Sequence, residues 1–370
     1  MAQGFGLRSA PIACQPKIPA IQLLRAMAAF TVAALHLAFA FAVHIDDRLP
    51  KFPHTEQLAQ IAVSVFFVIS GCVMIISSRH LFGLPKGSMR FWRRRAVRVL
   101  PPYWLATGLM VAVALWVGLP VDAREVALSL VLVPYFKASD PAWFQPFLWP
   151  GWTLFYELEF YFLFGCFVFA GRKWTFTLTT LALIALVVAG QWISTDHPFA
   201  FTATRPILLL FIAGMAIGLA MERGWRLPLW LRLLALAGSM LAFVMAPDVP
   251  RGEPLSFAYL PWAGLPAVLV CLALLGGHLN LPASEWINRA GEASYSLYLL
   301  HIPLAHAWIW AFMHLRNPGG SWGYVLTALT LLIVLSLAAY KYVEKPMTGR
   351  LNALLGGGRA SSERTSCAGS

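Results

Sequence analysis

The feature that most restricts this chain is a recurring apolar run. Mainly hydrophobic stretches lie near 20–43, 57–78, 99–118, 151–170, 174–193, 205–222, 228–246, 258–277, 294–315 and 322–341, separated by short charged or Pro/Gly-rich breaks. A helix needs about 20 such residues to cross a hydrocarbon layer about 30 Å thick, at about 1.5 Å per residue. The expected fold is therefore all-α, a polytopic integral membrane protein with about ten transmembrane helices. Composition agrees: 59% of the 370 residues are hydrophobic and 12% charged, against roughly 45–50% and about 25% in a soluble domain. A weaker amphipathic stretch near 124–134 is too short to cross and is expected to lie against one surface.

The net charge of +12 does not point to nucleic acid, because the basic residues sit in short loops and form no aromatic-spaced basic face. They report topology instead. With the N-terminus cytoplasmic and ten spans, 20 of the 28 Lys and Arg residues fall in inside loops and tails, seven fall outside, and Arg25 lies within the first span. Positive charge accumulates on the cytoplasmic side, so both termini are expected there. The expected division is a cytoplasmic tail over 1–17, a membrane domain over 18–350 and a disordered cytoplasmic tail over 351–370. The first apolar run exceeds twenty residues, so no cleaved signal is expected. Five scattered cysteines, with no CxxC pair or His at ligand spacing, are read as packing residues, and no metal is expected.

Ionisable residues inside spans are costly and mark functional candidates. Arg25 and His36 both lie in the first span. Eleven positions at about 100° each bring them within about 20° of one helix face, about 16 Å apart along the axis. Arg25 falls near the cytoplasmic boundary and His36 near mid-membrane. A cation at the membrane edge suits an anionic cofactor, and an imidazole deeper on that face suits a general base for a hydroxyl. The alternative is that Arg25 snorkels to headgroups while His36 bonds a neighbouring helix.

Before the third span, five arginines fall within the nine residues 90–98, with Arg95 and Arg98 one helical turn apart. They read either as positive-inside anchors or as a phosphate seat, since guanidinium forks bind phosphate in pairs. Glu157, about two turns into the fourth span, needs a partner, expected to be a histidine or arginine of another span; Glu159 lies on a different face. In the ninth span His301 precedes the kinking Pro303, and His306 lies off that face. Both histidines also fit structural hydrogen bonding.

Six motifs occur in order between about 18 and 350: Gln-Leu-Leu-Arg25 through His36; Phe-Phe-Val-Ile-Ser70-Gly71; Arg95-Ala-Val-Arg98 before Pro-Pro-Tyr; Trp152-Thr-Leu-Phe-Tyr-Glu157; Ser294 through Tyr298 to His301-Ile-Pro303; and Val-Glu344-Lys-Pro346. In this the chain resembles the membrane acyltransferase-3 family, and within it the bacterial exopolysaccharide-production acyltransferases of the succinoglycan-modifying type. The resemblance implies ten helices in the cell inner membrane. It also implies transfer of an acyl group from cytoplasmic acetyl-CoA or succinyl-CoA to a sugar hydroxyl of an exported polysaccharide or its lipid-linked precursor. Arg25 and His36 are then essential, with Arg95 and Arg98 helping to hold the donor; Glu157 is read as a partner of the catalytic histidine. Ser70, Trp152, Tyr298 and His301 are assigned to substrate binding or structure. Gln22 stands where many members carry an acidic residue. A transporter or flippase for a lipid-linked saccharide is the competing reading, because intramembrane His, Arg and Glu suit it too, but no repeated halves with interrupted helices are visible.

Overall fold

A computed structural model describes residues 18–44, 54–137, 144–194, 196–246, 256–277, 285–315 and 320–355. Thirteen α-helices follow in order: α1 (Pro19–His44), α2 (Thr55–Ser78), α3 (Gly87–Val117), α4 (Ala123–Leu130), α5 (Trp152–Phe167), α6 (Arg172–Ala189), α7 (Pro198–Ala203), α8 (Leu209–Glu222), α9 (Leu229–Val244), α10 (Leu265–Leu275), α11 (Glu285–His314), α12 (Gly320–Ala339) and α13 (Lys345–Leu355). No strand occurs among the described residues. Each expected span falls on a helix. Seven of the helical stretches are long and apolar enough to cross a membrane, and the stretches Pro206–Glu222, Leu229–Val244 and Leu260–Leu275 are apolar but shorter. The chain is thus a multi-pass membrane protein.

Helix ends and apolar ends do not coincide. α3 begins at Gly87, twelve residues before the expected span at 99, because arginine is a good helix former and the arginine-rich segment continues the same helix. At about 1.5 Å per residue α3 is about 46 Å long, more than the apolar layer, so its first turns project beyond it. It passes through Pro101 and Pro102, tolerated in membranes where neighbouring groups satisfy the freed backbone. The expected disordered tail at 351 is corrected in part: residues 351–355 finish α13, and the Arg93 side chain donates to the Leu355 carbonyl. The remaining tail residues, 1–17 and 356–370, lie outside the described residues, as do Cys14, Cys367, Arg48, Lys51, Arg251 and Arg316. The amphipathic stretch near 124–134 is α4, capped by Asp122 through the amides of Arg124 and Glu125.

The packing has direction. α2 and α8 run parallel at backbone contact: a Cβ on Gly71 would meet the Phe211 carbonyl at 2.2 Å, one on Gly214 the Val68 carbonyl at 1.9 Å, and one on Gly218 the Cys72 carbonyl at 2.8 Å. Small residues four apart permit such an approach where no hydrophobic effect drives helices together. α1 and α11 also run parallel, with Gly291 against Gln22 at one end and His301 against His36 further on. α11 is parallel to α3, since the Tyr295 hydroxyl donates to the Val99 carbonyl and Trp116 contacts Trp310. α9 and α10 form an antiparallel pair, in which Arg232 donates to Ala273 and Ser239 to Pro266.

Candidate active site

α1, α2, α3, α5 and α11 enclose a cavity of about 110 Å³. Arg25, Arg95 and Arg98 all line it, together with Ser70, Glu157, Tyr161, Ser294, Tyr295 and Tyr298, and Phe66, Phe67 and Met74 supply apolar wall. Three arginines separated by up to 73 positions in sequence therefore face one space, as their reading as a shared anion seat requires. The guanidinium of Arg25 makes no hydrogen bond among the described residues, and its charged neighbours are Arg98, Glu344 and Glu157. Arg95 is more constrained: it donates to Ser77 Oγ at 2.8 Å and lies 5.8 Å over the Tyr161 ring. Arg98 is exposed.

Glu157 faces the cavity, but its hydrogen bonds come from hydroxyls. Ser70 Oγ donates to Oε1 at 2.8 Å, and the Tyr161 hydroxyl, one turn on in α5, donates to the same oxygen. The partner anticipated for this carboxylate was a histidine or arginine; its hydrogen bonds come from a serine and a tyrosine, and Arg25 stands among its charged neighbours. Glu157 therefore belongs to the arginine-lined cavity, and the ring of His36 is bonded elsewhere. Gly71 lets α8 approach the back of α2 while its neighbour Ser70 faces the cavity.

His36 Nδ1 lies 2.9 Å from His301 Nε2, with the ring planes 6° apart. His301 is fully buried, and its Nδ1 lies 2.6 Å from the Tyr298 carbonyl. At about 1.5 Å per residue, Arg25 is about 9 Å and His36 about 26 Å from the start of α1, so the two stand about 16 Å apart along the helix axis. Neither histidine lines the cavity. Tyr298 connects the two regions, because it lines the cavity, its ring lies 5.7 Å from that of His301, and its hydroxyl bonds Thr153. Trp152 packs against Tyr156 rather than on the cavity.

Three further residues join the site. Trp149, in the turn before α5, stands 6.0 Å from the His36 ring. Tyr161 is visible in sequence only as a residue one turn from Glu157. Glu344 lies in a π-helical turn, Tyr340–Glu344, and accepts from Ser296 at 2.5 Å; such turns often occur at functional sites, and its motif stood among the six that carry the resemblance. At the arginine-rich end of α3, Arg94 bonds His80, whose imidazole is held below its usual value by burial and then by Arg94, Arg79 and Arg90.

A cluster of arginines on one cavity, a hydroxyl-bound carboxylate and a paired histidine suit transfer of a group from an anionic carrier. Comparison with known proteins decides the family. The "Acyltransferase domain" family pattern, type 3, matches residues 18–341. The chain belongs to the acyltransferase-3 family. It is similar to the exopolysaccharide production protein ExoZ of Rhizobium meliloti, with 32% identity over 81% of this chain and 93% of that protein. The acyltransferase MdmB of Streptomyces mycarofaciens is 26% identical over 83% of this chain and 82% of its own length. The peptidoglycan O-acetyltransferase OatA of Listeria monocytogenes is 22% identical over 89% of this chain but 56% of its own length. No solved structure matches the chain. As a member of this family the protein is a membrane acyltransferase.

Proposed function

We propose that this acyltransferase moves an acetyl or succinyl group from cytoplasmic acyl-CoA to a sugar hydroxyl of an exported polysaccharide, or of its lipid-linked precursor, in the bacterial inner membrane. The observation that carries the reading is the division along α1: Arg25 on a cavity shared with Arg95 and Arg98, and His36 further along the same helix. Arginine forks bind phosphates through charge-assisted hydrogen bonds, which suits the nucleotide end of a CoA. The cavity holds far less than a whole CoA, so it suits part of the phosphate end, with the pantetheine arm extending along α1 toward His36.

In the reaction, His36 takes the proton of the sugar hydroxyl as its oxygen attacks the thioester carbonyl. The C–S bond breaks, the ester forms, and the proton passes to the departing CoA sulfur. The similarity to an exopolysaccharide production protein supports a saccharide acceptor.

The proposed topology has ten spans with both termini cytoplasmic. Helix directions support it: the sixth span, α8, is parallel to the second, and the ninth, α11, is parallel to the first and third, as an uninterrupted alternation requires. Cysteine labelling in intact cells should modify Cys at position 51 or 251 and spare it at 95 or 172; the opposite pattern contradicts cytoplasmic termini, and labelling of one member of each pair contradicts ten spans. For the function, NMR spectra of polysaccharide from deletion and wild-type cells should differ by a lost acetyl or succinyl signal. Identical spectra would remove the proposal.

A further inference from the structure

Resting on the reading of His36 as the base, we propose that His301 is its positioning residue: it fixes the His36 ring in the Nδ1–H tautomer and leaves Nε2 as the atom that takes the proton. The argument runs along a chain of three groups. A backbone carbonyl only accepts, so at 2.6 Å from the Tyr298 oxygen the His301 Nδ1 carries the hydrogen and donates. In a neutral imidazole the other nitrogen is then a lone pair. His301 Nε2 accepts, and the donor 2.9 Å away is His36 Nδ1–H. The second nitrogen of His36, Nε2, is in turn bare, and it makes no hydrogen bond among the described residues.

The ring geometry fits this bond. Centres 5.1 Å apart in planes 6° apart, with two nitrogens at 2.9 Å, set the imidazoles edge to edge, so the hydrogen points along the lone pair. The arrangement is rigid at its base: α1 and α11 pack in parallel, Ala33 and Leu37 meet Ala305 beside the pair, and the Tyr298 ring is itself tied by its hydroxyl to Thr153. His301 thus fills the orienting place that an acid occupies in a catalytic triad. When His36 Nε2 takes the hydroxyl proton, its Nδ1–H still donates to His301, now as a charge-assisted bond and therefore a stronger one. The proton leaves from Nε2 to the CoA sulfur, and His301 keeps its own proton throughout. Glu157 is free of this duty and remains with Ser70 and Tyr161.

The test uses the full-length protein in lipid nanodiscs, labelled with 15N-histidine. The His36 signals, recognised by their loss in His36→Ala, should show a protonated Nδ1 and a bare Nε2. His301→Leu should lose that preference and lower kcat roughly ten- to a hundredfold, with the KM for acetyl-CoA unchanged, on polysaccharide isolated from a deletion strain. His301→Gln, whose amide oxygen can accept from His36, should recover most of kcat. A protonated Nε2 on His36 in the unaltered protein, or full kcat in His301→Leu, would overturn the assignment. Should His301→Leu not fold, the tautomer of the unaltered protein and the Gln variant still decide. An active His36→Ala protein would instead refute the base itself, a separate result.

Discussion

The two ends of α1 build different kinds of site from the same helix. Around Arg25 the groups are charged and polar: three arginines, a carboxylate held by two hydroxyls and an open space among them. Around His36 the surroundings are aromatic and buried, and polarity is reduced to one chain of hydrogen bonds through His301 to a backbone carbonyl. The first arrangement suits holding an anion in place and the second suits moving one proton. A membrane enzyme that confines charge to one region and proton transfer to another avoids burying an unpaired charge beside its base.

The separation predicts effects of different type and size. The largest belongs to the histidine end: His36→Ala should insert and still bind acyl-CoA while its transfer rate falls by about 10²–10⁴, whereas His306→Ala should keep most activity. Radiolabelled acetyl transfer in membranes reads both. Next comes the arginine end, where Arg95→Gln with Arg98→Gln removes charge-assisted bonds of about 1.5–3 kcal/mol each. The KM for the donor should rise at least tenfold with protein yield unchanged; an unmoved KM returns these arginines to membrane anchoring. The smallest effect is at the cavity wall. Ser70→Ala leaves Glu157 with Tyr161 alone, and a lost hydrogen bond of about 1 kcal/mol should weaken donor use by roughly fivefold. A loss as large as that of His36→Ala would show that Glu157 takes part in the proton transfer and erase the distinction between the ends.

Much of this organisation is legible in sequence, for physical reasons that also mark the limit. Each apolar run read from sequence falls on a helix, and seven of the helical stretches are long and apolar enough to cross a membrane. The common face of Arg25 and His36 follows from helical periodicity, and the pairing of Arg95 with Arg98 from a single turn. What periodicity cannot convey is which helices are neighbours. The bond between His36 and His301 joins positions 265 apart, and the hydroxyl partners of Glu157 depend on the approach of α2 to α5. Helix ends were also hidden where hydropathy and helicity part company, as at the start of α3, whose arginines are polar yet helical. The shortness of α8, α9 and α10 has the same origin, since Pro/Gly-containing flanks are apolar without being α-helical, as in the π-helical turn at Leu260–Gly264.

The central claim is that one helix binds at Arg25 and catalyses at His36, and steady-state kinetics of two variants in proteoliposomes test it most directly. With acetyl-CoA as the varied substrate, Arg25→Gln should raise KM with a lesser change in kcat, and His36→Gln should abolish most of kcat with KM close to that of the unaltered protein. If both variants lowered kcat alone, or both raised KM alone, the division of labour along α1 would be contradicted.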